Sequence, residues 1–545
     1  MPQQQRKLKV AIIGGGISSI AQAVRLQEEL GKNVEYTIYE RDAGLGGVWL
    51  KSLWKGCAVD IPIHLYCLYS ELNPWFSSKW AGRDEVLQYW NGIVDKRRIR
   101  QHFQFDTAYV ESEWDSIAQQ HIITFERKNG ERFNVNADVL ISATGALNKP
   151  IIPSVPGRET FKGEQWHSST WREDLQFEGK KIAVIGNGSS GIQCIPHLAA
   201  LPGVQLTQFI RSPGYFRQKE NFNYSRFQKF VFRWVPGALR TYRWWLFYEY
   251  DRAILSRGLG RFASNLRQQM TNNVIKYMKS KAPEKYWPAI IPDYPMHCKR
   301  VAYNQGWLEA LNLANVHLTS SAIVSLDESG LSTADGKHYD FDYICWATGF
   351  EVSETGVGLN HGVKGLHGQE LSQLWKAKDG GYGYLGVAPP QVPNYFIVLG
   401  PNSIAMSWGY TLGHNTEFIA RILKGMVDHN LSSIVVKDTA MEQYNEYLNE
   451  RLQQTALALP ECGPRSWYKD PNTGKLVAPA PWSATELWTR TRKIKWEDWA
   501  ARRREGDKVV TVDVKSSRTW TPWGLVGDWV AAQIQSRLIR LMTAE

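Results

Sequence analysis

Two glycine-rich turns, Gly14-Gly15-Gly16 and Gly186-Asn187-Gly188-Ser189-Ser190-Gly191, constrain this chain more than any other feature. Each follows an apolar run of strand type, Lys9–Ile13 and Lys181–Ile185. Each then opens a stretch of helical periodicity, Ile17–Leu30 and Ile192–Leu201. Strand, glycines and helix in that order make a cradle for a pyrophosphate. The glycines let the backbone come close, and the unpaired N–H groups of the helix N-terminus receive the charge.

The fold class that follows is α/β, with two Rossmann-like dinucleotide-binding units. In the first, Gly14 and Gly16 occupy the first two glycine positions, and Ser19, small enough for close helix–strand packing, stands at the third. The next strand, Val34–Tyr39, ends in Glu40, where a carboxylate can accept from ribose hydroxyls. In the second, Gly186, Gly188 and Gly191 complete the pattern, Ser189 lies within it, and Pro196 is expected to kink or shorten the helix. Strand Leu206–Ile210 there ends in Arg211-Ser212 rather than an acid. A guanidinium and a hydroxyl bind a 2′-phosphate that a carboxylate would repel, so the second nucleotide is expected to be NADPH.

At 545 residues the chain exceeds the size of a single core. The expected division is a first unit over 1–150 and 351–545, a second over 151–215 and 300–350, and a helical insertion over 216–299. Further strands are expected at Val135–Ala143, Phe341–Phe350 and Tyr395–Leu399, and an amphipathic helix at Trp523–Met542. The net charge of +11 suits anionic cofactors. No basic stripe or recognition motif points to nucleic acid. The six cysteines (Cys57, Cys67, Cys194, Cys298, Cys345, Cys462) form no C-x-x-C pair and have no histidine at metal spacing. They are expected to be reduced thiols, with no metal site. The short polar stretch Met1–Lys9 carries no export signal and no apolar run is long enough to span a bilayer, so the expected location is cytoplasmic.

Between the two turns lies Phe161-Lys162-Gly163-Glu164-Gln165-Trp166-His167-Ser168-Ser169-Thr170-Trp171. This F-x-G-x-x-x-H-x-x-x-W pattern resembles the fingerprint of Baeyer–Villiger monooxygenases, fungal-type members included: flavin enzymes that use NADPH and O2 to insert oxygen beside a ketone carbonyl. The family usually continues with Pro or Asp where this chain has Arg172. Gly46-Gly47-Val48-Trp49 resembles the G-G-x-W element of flavin monooxygenases, which implies FAD in the first unit, with Gly47 and Trp49 beside it. Asp60-Ile61-Pro62-Ile63-His64-Leu65-Tyr66 resembles a segment whose Asp lies by the flavin and pairs with the catalytic arginine. That implies a catalytic Asp60, with Tyr66 near the cofactor. His297-Cys298-Lys299-Arg300 resembles the segment carrying that arginine, which makes Arg300 catalytic and places Lys299, with Arg211, at the NADP phosphate. Phe161, Gly163, His167 and Trp171 are the fingerprint positions, of which His167 and Trp171 would couple movement of the NADP unit to the flavin site without touching substrate.

The loop after Gly400-Pro401-Asn402, with Met406 and Trp408, is implied to shape the ketone pocket, and Arg465-Ser466-Trp467-Tyr468 to order over the cofactors. The aromatic run Phe222–Leu266 reads equally as a cap on the substrate entrance and as an ordinary helical subdomain, and a basic aromatic helix can also lie on a membrane surface. With this insertion and the fungal-type resemblance, the expected substrate is a bulky cyclic or polyketide-derived ketone of secondary metabolism. Two rivals remain. A flavin-containing monooxygenase acting on nitrogen or sulfur usually has Tyr at the place of Trp171 and lacks the Arg300 segment. A non-oxygenating NADPH-dependent flavoprotein, such as a reductase or redox sensor, is the other; reductases with paired nucleotide units normally need a reactive dithiol, and no C-x-x-C exists here.

Overall fold

The computed structural model describes residues 7–352, 360–405, 407–463 and 466–515. Met406, Arg465 and the expected helix Trp523–Met542 lie outside the described residues.

Two five-stranded sheets organise the molecule. The first runs Tyr395–Ile397, Val139–Ser142, Leu8–Ile13, Val34–Tyr39, Phe103–Gln104, with every neighbouring pair parallel. The second runs Val316–Thr319, Gln205–Phe209, Lys181–Ile185, Tyr343–Trp346, Glu164–His167, again all parallel. Their strands are near-continuous apolar runs, as expected when both faces are covered: Ile12, Ile38 and Ile141 in the first and Ile182, Val184 and Ile344 in the second are fully buried.

Three expectations need correction. Val135–Ala143 is not one strand. Arg132–Ala137 belongs to an antiparallel sheet and Val139–Ser142 to the first parallel one. The change happens at buried Asp138, whose carboxylate accepts from the Lys9 N–H and from Gln120 Nε2, both at 2.8 Å. The helix of the second unit spans Ser189–Ala199, starting before Ile192. Pro196 sits in its last turn, where the bond to the Ile192 carbonyl is lost, and the helix ends three residues later, short of Leu201. Finally, Cys298 and Cys462 are joined in a disulfide. Neither spacing nor motif marks that pair, because 164 residues separate them and only the tertiary fold brings their Cα atoms to 4.7 Å. Cys57, Cys67, Cys194 and Cys345 are free.

The second unit is inserted between two strands of the first sheet, and its two crossovers run side by side. Pro150 bridges Phe350 in antiparallel fashion. The Ile151 N–H donates to Gly349 O and the Glu351 N–H to Lys149 O, both at 2.9 Å, and Thr348 Oγ1 donates to Ile151 O. The insertion contains helices Arg226–Trp234, Ala238–Asp251 and Arg261–Lys281. Among the described residues, no helix is long and apolar enough to cross a membrane.

Candidate active site

The two glycine turns are built alike. Gly14 N–H donates to Tyr39 O and Gly186 N–H to Phe209 O, each at 2.8 Å. Both glycines have positive φ, +106° and +118°, and a Cβ would strike the carbonyl of Ala143 or of Ala347 at 2.7 and 2.3 Å. These alanines open the two Ala-Thr-Gly segments, 143–145 and 347–349. Both helices start on a glycine, Gly16 or Gly188, with no side-chain cap and no acid in the first turn. Their first N–H groups are therefore left for a ligand anion. A Cβ at Gly188 would meet nothing within 4 Å, so the space beside that turn is open. Residues of both units thus fit a dinucleotide.

Glu40 is buried, and its carboxylate accepts from the Gly15 N–H and, at 2.9 Å, from the Asp42 N–H. Burial raises its pKa against the pull of those amides. Gly46 N–H donates to Gly15 O at 2.9 Å, which draws the Gly46-Gly47 turn against the first cradle. Ser19 Oγ donates to Gly16 O at 2.8 Å, closing the helix end in place of a third glycine. Trp49 Nε1 donates to Tyr66 OH at 2.8 Å. In the second unit, Ser212 is held from two sides: Lys299 Nζ donates to its Oγ at 3.1 Å and Asn187 Nδ2 to its carbonyl at 2.9 Å. Arg211 is exposed at the strand end beside it.

Arg300 and Asp60, 240 residues apart, form a direct ion pair. About a third of each side chain, 36% and 30%, still faces open space. Burial opposes the arginine charge, but the Asp60 carboxylate outweighs it and raises the pKa further. The guanidinium therefore stays charged at any working pH. The pair lines a cavity of about 200 Å³, together with Tyr66, Trp408, Trp467 and Tyr468. Ser407 caps the helix that begins at Trp408, accepting from the Tyr410 N–H at 3.1 Å, and the Trp408 ring stacks on Trp467 with centroids 6.0 Å apart.

Other cavity residues carry no sequence motif. Tyr250, Ile254, Arg257 and Met270 reach it from the helical insertion, and Trp482 from the C-terminal part. Arg257 donates to Ala405 O at 3.2 Å. The insertion thus supplies part of the wall around Arg300, which favours its reading as a cap. The disulfide ties Cys298, two residues before Arg300, to the 456–463 loop, whose neighbour Tyr468 lines the same cavity.

The fingerprint residues lie apart from this cavity. Ser169 N–H donates to His167 Nδ1 at 3.1 Å, which leaves Nε2 as the proton carrier; Nε2 lies 2.9 Å from Gly349 O. That carbonyl accepts from Ile151 as well, so His167 is fastened to both crossovers. Burial lowers its pKa and favours this neutral form. A Cβ at Gly163 would come within 2.3 Å of Asp342 O, so only glycine lets the strand Glu164–His167 lie against Tyr343–Trp346. Phe161 and Trp171 are buried on separate clusters of the second unit, Trp171 stacked on Phe177.

Two all-parallel dinucleotide units joined by a double crossover, with an ion pair lining a cavity, fit an oxidoreductase that uses two nucleotide cofactors. Comparison with known proteins agrees. Residues 7–201 match the model for flavin-binding monooxygenase-like proteins. A Baeyer–Villiger monooxygenase of Pseudomonas aeruginosa is 30% identical over 484 residues, covering 87% of this chain and 88% of that one. The FAD-binding monooxygenase ktnD of Aspergillus niger is 28% identical over 519 residues, covering 90% and 81%. In fold, the chain is similar to a closed crystal structure of cyclohexanone monooxygenase, with TM-score 0.78 and 21% identity over 92% of this chain and all of that one. A steroid monooxygenase bound to NADP gives 0.75 and 21%, over 91% and all of it. The chain belongs to the Baeyer–Villiger monooxygenase family and is an FAD-dependent monooxygenase.

Proposed function

We propose that this enzyme uses NADPH and O2 to convert a ketone to an ester or lactone. The observation that carries the reading is the Arg300–Asp60 pair at the cavity wall. The cofactors are FAD in the unit built from 1–150 and 351–545, and NADPH in the unit built from 151–215 and 300–350. When bound, they supply hydride transfer and activation of O2 beside the ketone.

The chain's own residues then have distinct tasks. Gly14, Gly16 and the helix end behind them hold one pyrophosphate, and Glu40 holds the ribose; Gly47, Trp49 and Tyr66 close on the same cofactor. Gly186, Gly188, Ser189 and Gly191 hold the second pyrophosphate, while Ser212, Lys299 and Arg211 take the 2′-phosphate. Arg300 is a fixed cation for negative charge developing on the reacting oxygen, a type of contribution worth about 3–4 kcal/mol. Asp60 sets its position without taking a proton from it. Trp408, Trp467 and the insertion exclude water. The cavity of about 200 Å³ is smaller than the ~300–1,000 Å³ usual for drug-sized ligands, so a polycyclic ketone would extend beyond it toward the opening or require its wall to shift.

Arg300→Ala tests the reading. NADPH should still bleach the flavin absorbance of this variant, while ketone oxygenation, read as mass gain of one oxygen, falls by roughly 100-fold or more. Undiminished ester formation overturns the assignment. Oxygenation of amines or sulfides in place of every ketone tried would favour the nitrogen- or sulfur-acting rival.

A further inference from the structure

The first two helices of the insertion bury one side and leave the other uncovered. Leu239, Leu246 and Tyr224 are buried beneath them, and Phe232 stacks on Tyr242 at 5.0 Å. On the outer side, Phe227 is 74% exposed, Trp244 67%, Trp234 and Tyr248 60%, Phe230 55% and Trp245 52%. This gathering on one helical pair is unusual, since large aromatics on a soluble protein are ordinarily scattered singly. Phe227, Phe230 and Trp234 follow helical spacing along Arg226–Trp234, so the uncovered apolar stripe belongs to a formed helix, fixed by a Ser225–Gln228 capping box.

Charge selects the occupant. From Asn221 to Tyr248 the sequence holds Arg226, Lys229, Arg233, Arg240 and Arg243 and no carboxylate. Arg226, Arg233 and Arg240 are exposed among the aromatics. Arg243 is committed inward, donating to the carbonyls of His64 and Cys67. Arg233 lies over the Trp234 ring at 4.7 Å and Arg240 over Tyr69 at 5.7 Å, so cations and rings present themselves together. Tryptophan and tyrosine rings beside exposed arginines match the chemistry of a bilayer interface, where rings settle at headgroup depth and cations meet anionic lipid. A second protein, or a second copy of this chain, would need free carboxylates opposite these arginines; on the two helices Glu249 is paired with Arg252 at 3.0 Å and Asp251 accepts from the Ala484 N–H and from Thr485 Oγ1.

We propose that the helix pair Arg226–Trp234 and Ala238–Asp251 docks the enzyme on an anionic lipid surface, lying on it without spanning it. The second helix ends at Asp251, and Tyr250, Ile254 and Arg257 at and beyond that end line the cavity. The docked face is therefore contiguous with the cap, and an apolar ketone dissolved in lipid reaches the cavity without crossing bulk water.

Flotation of the FAD-loaded full chain with vesicles tests this. Phosphatidylcholine vesicles with about 30% phosphatidylserine should bind roughly tenfold or more tightly than phosphatidylcholine alone, with binding lost near ~0.5 M salt. Replacing Phe227, Trp234 and Trp244 together by Ser should abolish flotation. Flavin content, thermal midpoint and NADPH oxidation should stay unchanged, because these side chains are exposed. Absence of flotation with either vesicle, or flotation that the triple variant retains, overturns the proposal. So does a concentration-dependent dimer, broken by the triple variant, that never floats: the face would then join two copies.

Discussion

At the scale of the residue, the informative positions are those where a side chain would collide or a charge would be alone. Gly188 is free of both constraints: its φ is ordinary and a methyl group placed on its Cα would meet no atom within 4 Å. Its absence of a side chain matters only to whatever lies in the cradle. Gly188→Ala should therefore keep the thermal midpoint within about a degree while raising the KM for NADPH roughly tenfold or more, since a methyl there stands where phosphate approaches. Titration of flavin reduction against NADPH, beside a melt of the same preparation, measures both. Arg300 and Asp60 were legible in the sequence only through motif likeness; nothing in their spacing indicates that they meet. Arg257, Tyr250 and Trp482 were not legible at all, because helical periodicity shows which face is apolar but not which cavity that face closes.

At the scale of the element, most strands were readable because buried parallel strands are continuous apolar runs, and Val34–Tyr39 and Lys181–Ile185 fall where the sequence puts them. The run Val135–Ala143 misled for the same reason: it is apolar on both sides of Asp138, and only tertiary hydrogen bonds to that carboxylate divide it. The strand Glu164–His167 shows how a fingerprint can be steric. Gly163→Ala pushes a Cβ to 2.3 Å from a backbone carbonyl that cannot swing away. The expected cost is about 1–3 kcal/mol of stability, visible in thermal or urea unfolding. Flavin reduction should also slow, because this strand carries His167 to the crossovers. An unshifted midpoint would show that the strand tolerates the displacement.

At the scale of the whole molecule, four histidines, His64 and His121 buried and His297 and His414 partly buried, make stability depend on pH. Burial pushes His64, His297 and His414 down to about 3 and His121 to about 4. The folded chain keeps them neutral while the unfolded chain protonates them below roughly pH 6.5. Stability is thus undiminished above that pH and is lost as pH falls from about 6.5 toward 3–4, by up to about 1.4 kcal/mol per pH unit for each histidine. Melting curves between pH 7.5 and 5.5 should show the midpoint falling by several degrees. A flat profile would mean that these rings are protonated when folded or reached by water. The Cys298–Cys462 bond is the clearest feature that sequence could not supply, since it depends on the fold rather than on any local pattern.

The pairing of Pro150 with Phe350 has a further consequence. The segment between those residues leaves and rejoins the first sheet side by side, and the Cys298–Cys462 bond ties it to the same body a second time. The inserted segment is therefore anchored at two distant places, at the His167–Gly349 contact and at the Cys298–Cys462 bond.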